Sequence, residues 1–369
     1  MMNKRKLPLL LNEILDGRRP GRQELRYLLA LRDARCVDLL FRAARRARRR
    51  HFGDRVFFYG FIYFSTYCRN NCRFCYYRRA NRELVRYRRS EAQILEAARR
   101  LADSGVHLID LTMGEDPLFF QDGGVSFEKL EKMIGRVRAR TGLPVMVSPG
   151  VIDRGTADRL AAAGADWYAC YQETHNRRLY DRLRPGQDYD VRWQAKRDAR
   201  KAGMLIEDGI LAGVGESPAD LADSIIAMGR LDADQVRVMS FVPRDGIPLA
   251  PPETPDPLRE PVTIAVMRLA FPDRLIPASL DVEGLSGLKS RLEAGANVVT
   301  SLIPPGADLA GVANCRLDIQ ESLRTPAAVA PVLAGCGLAA ATRDAYRRWL
   351  EARRSRCFSG HRPAANGEV

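Results

Sequence analysis

The chain has 369 residues, 46% of them hydrophobic, and carries a formal net charge of +14. That apolar share supports a sizeable core, yet no run approaches the roughly 18 apolar residues of a membrane span. The stretch Leu7–Leu11, behind the basic Met1–Lys6, is too short for a signal-peptide core, so a cytoplasmic protein with reduced thiols is expected. Apolar residues at helical spacing predict helices over Leu7–Leu15, Arg22–Leu31 and Arg35–Arg49, punctuated by Gly17 and Gly21. An aromatic, β-rich run, Val56–Tyr67, follows. Strands and helices then alternate. Strands are expected at His107–Thr112, Val145–Ser148, Trp167–Gln172, Met204–Ala212, Gln235–Phe241, Leu275–Leu280 and Val298–Ile303. The helices between them are Ser90–Ser104, Phe127–Arg140, Thr156–Ala163, Val191–Ala202, Pro218–Gly229, Pro261–Ala270 and Leu285–Ala294.

Eight such strands across about 250 residues are the usual span of a (β/α)8 barrel. The expected fold class is therefore α/β, a complete (β/α)8 TIM-type barrel with an N-terminal helical extension. The extension covers residues 1–52, the barrel 53–350 and a basic tail 351–369, with Gly360–Val369 disordered. Arg42–Arg50 and Arg353–Arg362 are dense basic blocks. They lack interleaved aromatics and no nucleic-acid motif accompanies them, so they read as solvated helix faces. A basic surface could also steer an acidic electron donor.

Cys68, Cys72 and Cys75 stand at C-x3-C-x2-C spacing, with Phe74 just before the third. A structural zinc site wants four ligands, and His51 and His107 are both far away in sequence. Three thiolates can instead hold three irons of a 4Fe–4S cube and leave the fourth open to a small molecule. Of the other cysteines, Cys36, Cys170, Cys315, Cys336 and Cys357, none forms a local motif. The run resembles the signature of the radical SAM superfamily. This implies a 4Fe–4S cluster and S-adenosylmethionine (SAM) as cofactors.

In such a barrel the site lies at the C-terminal strand ends, and polar residues stand at each of them. Gly114-Glu115 resembles the segment by which that superfamily holds the SAM ammonium, although Met113 replaces its first glycine. Glu173 and Ser148 suit the ribose hydroxyls, or Glu173 the ammonium. Arg184 suits the carboxylate as a bidentate partner. Gly209–Glu216, with Gly213, resembles the superfamily's fifth-strand glycine segment beside the adenine, and Phe74 is expected near that ring. Arg237, Ser279, Asp281 and Asp110 remain. They suit a zwitterion with an extra ammonium: Arg237 for a carboxylate, Asp281 with Ser279 for the α-ammonium, and Asp110 for a distal one. The alternative is that Arg237 and Asp281 simply pair with each other.

Tyr59–Arg78 resembles the methylornithine synthase family, and Asp110–Pro117, Tyr171–Asn176 and Ser279–Gly284 extend the likeness over most of the barrel. That resemblance implies conversion of L-lysine to (3R)-3-methyl-D-ornithine by hydrogen abstraction, Cα–Cβ fragmentation and recombination. It also implies substrate contacts at Asp110, Arg237, Ser279 and Asp281. A reduced flavodoxin or ferredoxin is the expected electron donor to a monomer, with neither nucleic acid nor membrane as partner. A biotin-synthase-like or hydrogenase-maturase-like enzyme is the nearest alternative. Cys170 is the one obvious barrel-lining cysteine for a second cluster, which argues against the former.

Overall fold

The computed structural model describes residues 6–120, 127–250, 254, 256–305 and 323–358. Three helices come first: α1 (Leu7–Leu15), α2 (Arg22–Leu29) and α3 (Ala34–Phe52). The Asp33 carboxylate caps α3 by accepting the Cys36 N–H at 3.2 Å. The helix stops at Gly53, whose φ of 62° suits glycine. Its apolar stripe, including Val37, Leu40, Ala44 and Ala47, is buried, and so is Arg48. Arg48 Nη1 donates to Leu292 O at 2.6 Å and Ala296 O at 3.1 Å, and Arg45 donates to Glu293 O at 3.0 Å. The reading of Arg42–Arg50 as a wholly solvated face is corrected at these two residues. They satisfy carbonyls left open at the end of a barrel helix.

The barrel then runs β1 (Arg55–Ser65), α4 (Glu91–Asp103), β2 (Leu108–Met113), α5 (Pro117–Phe120), α6 (Phe127–Thr141), β3 (Val145–Ser148), α7 (Arg154–Ala162) and β4 (Ala165–Ala169). It continues through α8 (Arg177–Leu183), α9 (Tyr189–Lys201), β5 (Leu205–Ala212), α10 (Pro218–Arg230), β6 (Gln235–Ser240), α11 (Arg259–Ala270), β7 (Pro277–Ser279), α12 (Leu288–Glu293) and β8 (Val298–Leu302). After it come α13 (Pro326–Gly335), β9 (Ala339–Ala340) and α14 (Arg343–Phe358). The strands are parallel, in the order β6-β5-β4-β3-β2-β1-β8-β7. A parallel bridge between Gln235 and Leu275 brings β6 and β7 together, with Val236 N–H donating to Leu275 O at 3.0 Å. The barrel of eight parallel strands is thus as expected, except that β7 keeps only three residues of the run Leu275–Leu280 and that β4 begins two residues before the run Trp167–Gln172 and ends at Ala169.

β1 illustrates why these strands read as unbroken apolar runs. Phe57, Tyr59, Phe61 and Tyr63 fill the barrel interior, while Val56, Phe58, Ile62 and Phe64 join the core beneath the helices. Capping residues set the helix starts. Ser90 Oγ accepts the Gln93 N–H at 3.3 Å while Gln93 Oε1 accepts the Ser90 N–H at 2.8 Å.

α14 closes the N-terminal end of the barrel. Tyr346 OH lies 2.8 Å from Tyr59 OH, and Trp349 stacks on Trp167 at 5.9 Å between centroids. The helix runs across residue 350, where the sequence reading places a boundary, because Arg353 is buried and paired with Asp232 and Asp234. Gly360–Val369 and Cys315 lie outside the described residues. Among the described residues no helix is long and apolar enough to cross a membrane.

One buried ion pair ties α9 to the sheet. Lys196 Nζ lies 2.9 Å from Asp208 Oδ2 and 2.7 Å from Gln172 Oε1, and His175 Nε2 lies 3.4 Å from the same carboxylate. Burial alone would push the Asp208 carboxyl up; the Lys196 ammonium and the His175 ring reverse this and hold it well below the usual range. Lys196→Met takes the ammonium away from that buried carboxylate, so it is expected to cost about 3–5 kcal/mol of folding stability, measured by denaturant unfolding. Because the folded-state pKa is depressed, the stabilisation is present above the ordinary carboxylate value of about 4 and fades as pH falls below it. Variant and parent should therefore converge in strong acid. A gap that persisted there would contradict the assignment.

Candidate active site

The C-terminal strand ends surround a cavity of about 220 Å³. Cys68, Cys72 and Cys75 stand at its rim on the loop that leaves β1. Backbone hydrogen bonds shape this loop: Arg69 N–H to Glu115 O at 2.8 Å, Arg73 N–H to Leu183 O at 2.8 Å, and Arg79 N–H to Asn70 O at 2.7 Å. Gly114 lies so close beneath it that a Cβ there would meet Tyr67 O at 2.3 Å and Cys68 Cβ at 2.9 Å. Its lack of a side chain is therefore a packing requirement. The buried Phe74 ring lies under the Arg184 guanidinium, 5.1 Å from Cζ to the ring centre.

The three thiols suit an iron–sulfur cluster. Cys72 Sγ accepts from Gln187 Nε2 at 3.0 Å and from Arg184 Nη1 at 3.4 Å, and Cys68 Sγ accepts from Asn70 N–H at 3.5 Å. Donors of this kind complement a charged sulfur. Burial pushes the Cys68 thiol up to about 11 and also raises Cys75, so a bound metal's charge is what would keep them as thiolates. Among the described residues no three His, Cys, Asp or Glu side chains converge on a single-ion site. Cluster thiolates need not converge in that way, because each binds a different iron.

Behind the rim lies a buried charge network. Glu115 Oε1 accepts from Arg192 Nη2 at 3.1 Å and from Val151 N–H at 3.2 Å, while Oε2 accepts from Arg69 Nε at 3.0 Å. Burial opposes its ionisation, but Arg192 and the other donors prevail and hold it below the usual range. Arg184 Nη2 donates to Glu173 Oε1 at 2.7 Å and to Tyr171 O at 3.2 Å. Glu173 takes φ 66°, a conformation that non-glycine residues hold only where the surroundings impose it. Its N–H donates to Gly209 O and its carbonyl accepts from Leu211 N–H, both at 2.9 Å, which imposes that conformation.

The floor of the cavity carries the remaining charges. Arg237 lines it and is anchored through Nε to Glu207 Oε1 at 2.7 Å. Asp281 also lines it, and it pairs with Arg324 rather than with Arg237: Arg324 Nη1 lies 2.5 Å from Oδ1. Tyr63 OH at 3.0 Å and Ser301 Oγ at 2.8 Å donate to the same Asp281 carboxylate. Asp110 lies just below the lining, with Ser148 Oγ donating to Oδ1 at 3.0 Å and with Oδ2 buried and unpartnered among the described residues. Burial, with Glu207 nearby, raises its carboxyl well above the usual range.

Of the residues singled out in the sequence, the cavity brings together Cys68, Cys72, Cys75, Phe74, Gly114, Glu115, Ser148, Glu173, Arg184, Arg237 and Asp281. Asp110, Ser279 and Gly213 do not line it. Ser279 stands behind Asp281, its Oγ accepting the Asp281 N–H at 3.2 Å. Gly213 shapes a turn, with φ 86° and its N–H donated to Glu216 at 2.9 Å. His175 belongs to the Asp208 pair, and Asp116 pairs with Arg88 at 2.7 Å. Sequence reasoning missed Arg192, Glu207, Arg324, Tyr63, Tyr171 and Gln187. The available signal was a charged residue at an inward position of an apolar strand, as at Glu207, or on the buried stripe of a helix, as at Arg192. Cys170 lines the cavity and its Sγ accepts from Arg192 Nη1 at 3.0 Å.

A parallel eight-stranded barrel with three open thiols at its mouth and a buried, charge-balanced cavity defines a radical SAM enzyme, with a 4Fe–4S cluster and SAM as its cofactors. A family model described as the radical SAM superfamily matches residues 62–226. The 3-methylornithine synthase of Methanosarcina acetivorans is 43% identical over 326 residues, spanning 88% of this chain and 92% of that one. The [FeFe] hydrogenase maturase subunit HydE of Thermotoga maritima is 31% identical, over 78% of this chain and 81% of its own. A crystal structure of methylornithine synthase superposes with a TM-score of 0.86 at 42% identity, covering 92% of this chain and 99% of that one. The chain belongs to the 3-methylornithine synthase family.

Proposed function

We propose that this enzyme converts L-lysine to (3R)-3-methyl-D-ornithine as the first step of pyrrolysine biosynthesis. The observation that carries this reading is the cavity floor. Arg237 Nη2 and Asp110 Oδ2 are both buried without a hydrogen-bond partner among the described residues, one a cation and the other an acid. Buried polar groups in that state call for a partner, and at the cavity floor a bound polar ligand supplies one. A diamino acid supplies a carboxylate for Arg237, an α-ammonium for Asp281 with Ser279 behind it, and a distal ammonium for Asp110.

In the same reading Cys68, Cys72 and Cys75 hold the cluster. Glu115 and the Gly114 backbone take the SAM ammonium, and Arg184 takes its carboxylate. Glu173 and Ser148 face the ribose, with Phe74 and the Gly213 turn beside the adenine. When bound, the cofactors would supply a 5′-deoxyadenosyl radical able to take a hydrogen atom from a lysine side-chain carbon. The chain's own contribution is to hold both ends of lysine and to keep water out. Phe61, Tyr63, Tyr77 and Tyr171 form the apolar wall for this. Exposed arginines on the cluster loop, Arg73, Arg79 and Arg82, favour an acidic donor such as reduced flavodoxin or ferredoxin. The enzyme acts as a cytoplasmic monomer, with neither nucleic acid nor membrane as partner.

The test is an anaerobic assay of the cluster-loaded, reduced protein with SAM and L-lysine, the products being resolved by chiral mass spectrometry. A branched isomer of lysine that co-elutes with 3-methylornithine is expected. Deoxyadenosine without that isomer would overturn the substrate assignment.

A further inference from the structure

We propose that Glu207 is the positioning residue for the substrate carboxylate. It acts by fixing the direction in which Arg237 presents its guanidinium. This inference rests on the reading that Arg237 receives that carboxylate.

The sequence places Glu207 in a buried strand, in the register that points into the barrel along with Leu205 and Gly209, whereas the neighbouring Asp208 points the other way, to Lys196. It is fully buried. Its Oε1 accepts Arg237 Nε–H at 2.7 Å. Holding a guanidinium by Nε leaves its two Nη groups pointing away from the holder, as a fork that matches a carboxylate. The fork is indeed left open: Nη2 has no partner among the described residues, and Nη1 has only Met239 Sδ at 3.6 Å. The fork's plane is confined as well. Arg237 Cζ lies 5.8 Å from the Phe61 ring centre and 5.4 Å from that of Tyr171. Gly209 makes room for this, since a Cβ there would come 3.0 Å from Tyr171 Cδ1 and 3.4 Å from Arg237 Cβ. β5 thus supplies both the anchor and the space. Such pre-organisation lowers the cost of ordering a receptor when the ligand arrives.

Two roles are open to a buried carboxylate beside a buried arginine, and they make opposite predictions. If Glu207 only balances the charge of Arg237, Asp should serve and Gln should not. If it positions the fork, Gln should serve, because its amide oxygen can accept the same Nε–H at the same reach. Asp should then fail, because its side chain is one methylene shorter. The experiment compares Glu207→Gln and Glu207→Asp as cluster-loaded, SAM-bound enzymes under anaerobic conditions. Calorimetry measures the Kd of L-lysine and of L-lysinamide, whose carboxamide cannot form the charge-paired fork contact.

The expected result is a lysine-over-lysinamide preference that stays within about threefold of wild type in Glu207→Gln and falls about tenfold or more in Glu207→Asp, one bidentate charged contact being worth at least that much. Lysinamide affinity and SAM binding should hold in both variants. A preference unchanged in Glu207→Asp overturns the inference, and so does a loss that falls equally on lysinamide. If the wild-type enzyme binds neither compound, the lysine reading itself fails, and that outcome is seen before any variant is made.

Discussion

Replacing Cys72 by serine is expected to abolish SAM cleavage while leaving the fold intact. A serine hydroxyl does not ionise near neutral pH and is a hard oxygen donor, whereas iron–sulfur clusters are held by thiolates. Cys72 is also the thiol best supplied with donors, from Gln187 and Arg184. Those donors would lose the charged sulfur they complement. The loop itself does not depend on the sulfur for its shape, because its backbone is tied to Glu115, Leu183 and Leu249. Iron content and cluster absorbance should therefore collapse, and deoxyadenosine formation should fall to the level of cluster-free protein. The melting temperature of the metal-free protein should stay at the parent value. An iron-loaded serine variant that still cleaves SAM would remove Cys72 from the ligand set.

Asp110→Asn carries the second large effect, and it separates activity from stability. Asp110 Oδ2 is buried and unpartnered among the described residues, and burial raises its carboxyl well above the usual range. For an acid whose folded-state pKa is raised, stability is lost as pH climbs through the ordinary carboxylate value toward the raised one. The metal-free enzyme near neutral pH therefore carries Asp110 at a cost, which the isosteric amide removes. Its melting temperature should not fall and is expected to rise. The substrate's distal ammonium would meet a neutral amide instead of a carboxylate. Losing one partner of a buried, hydrogen-bonded charge pair costs about 2–5 kcal/mol, or about thirty- to several-thousand-fold in the specificity constant for lysine. SAM binding should be unaffected. Parent-like lysine turnover in Asp110→Asn would exclude a charge-bearing role for this residue.

Much of the barrel could be read directly from the chain. Strands of β1's kind are buried on both faces, so they appear as apolar runs, and the intervening helices carry their own caps and periodicity. α14 escaped notice because its inward face is aromatic and polar rather than a simple apolar stripe. Tyr346 and Trp349 meet Tyr59 and Trp167, and Arg353 meets Asp234. None of those partners is near it in sequence. β7 was overestimated because Leu275 and Ile276 are buried by packing without forming a full ladder.

The cysteine loop and the Gly114-Glu115 segment were legible in the chain alone, since each is a pattern within a few residues. The sequence also named Arg237 and Asp281, which the structure places in the cavity lining, and Asp110, which lies just below it. Which neighbours hold those charges in place emerges only once the barrel closes. The simple pairing of Arg237 with Asp281 does not form: Glu207 holds Arg237, and Arg324 holds Asp281. Arg192 joins Glu115 to Cys170 and Gln187 in the same way. The physical reason is that buried ion pairs form between side chains that the closing of the barrel brings within about 3 Å. That proximity depends on strand register and barrel closure, and a linear order of residues does not specify it.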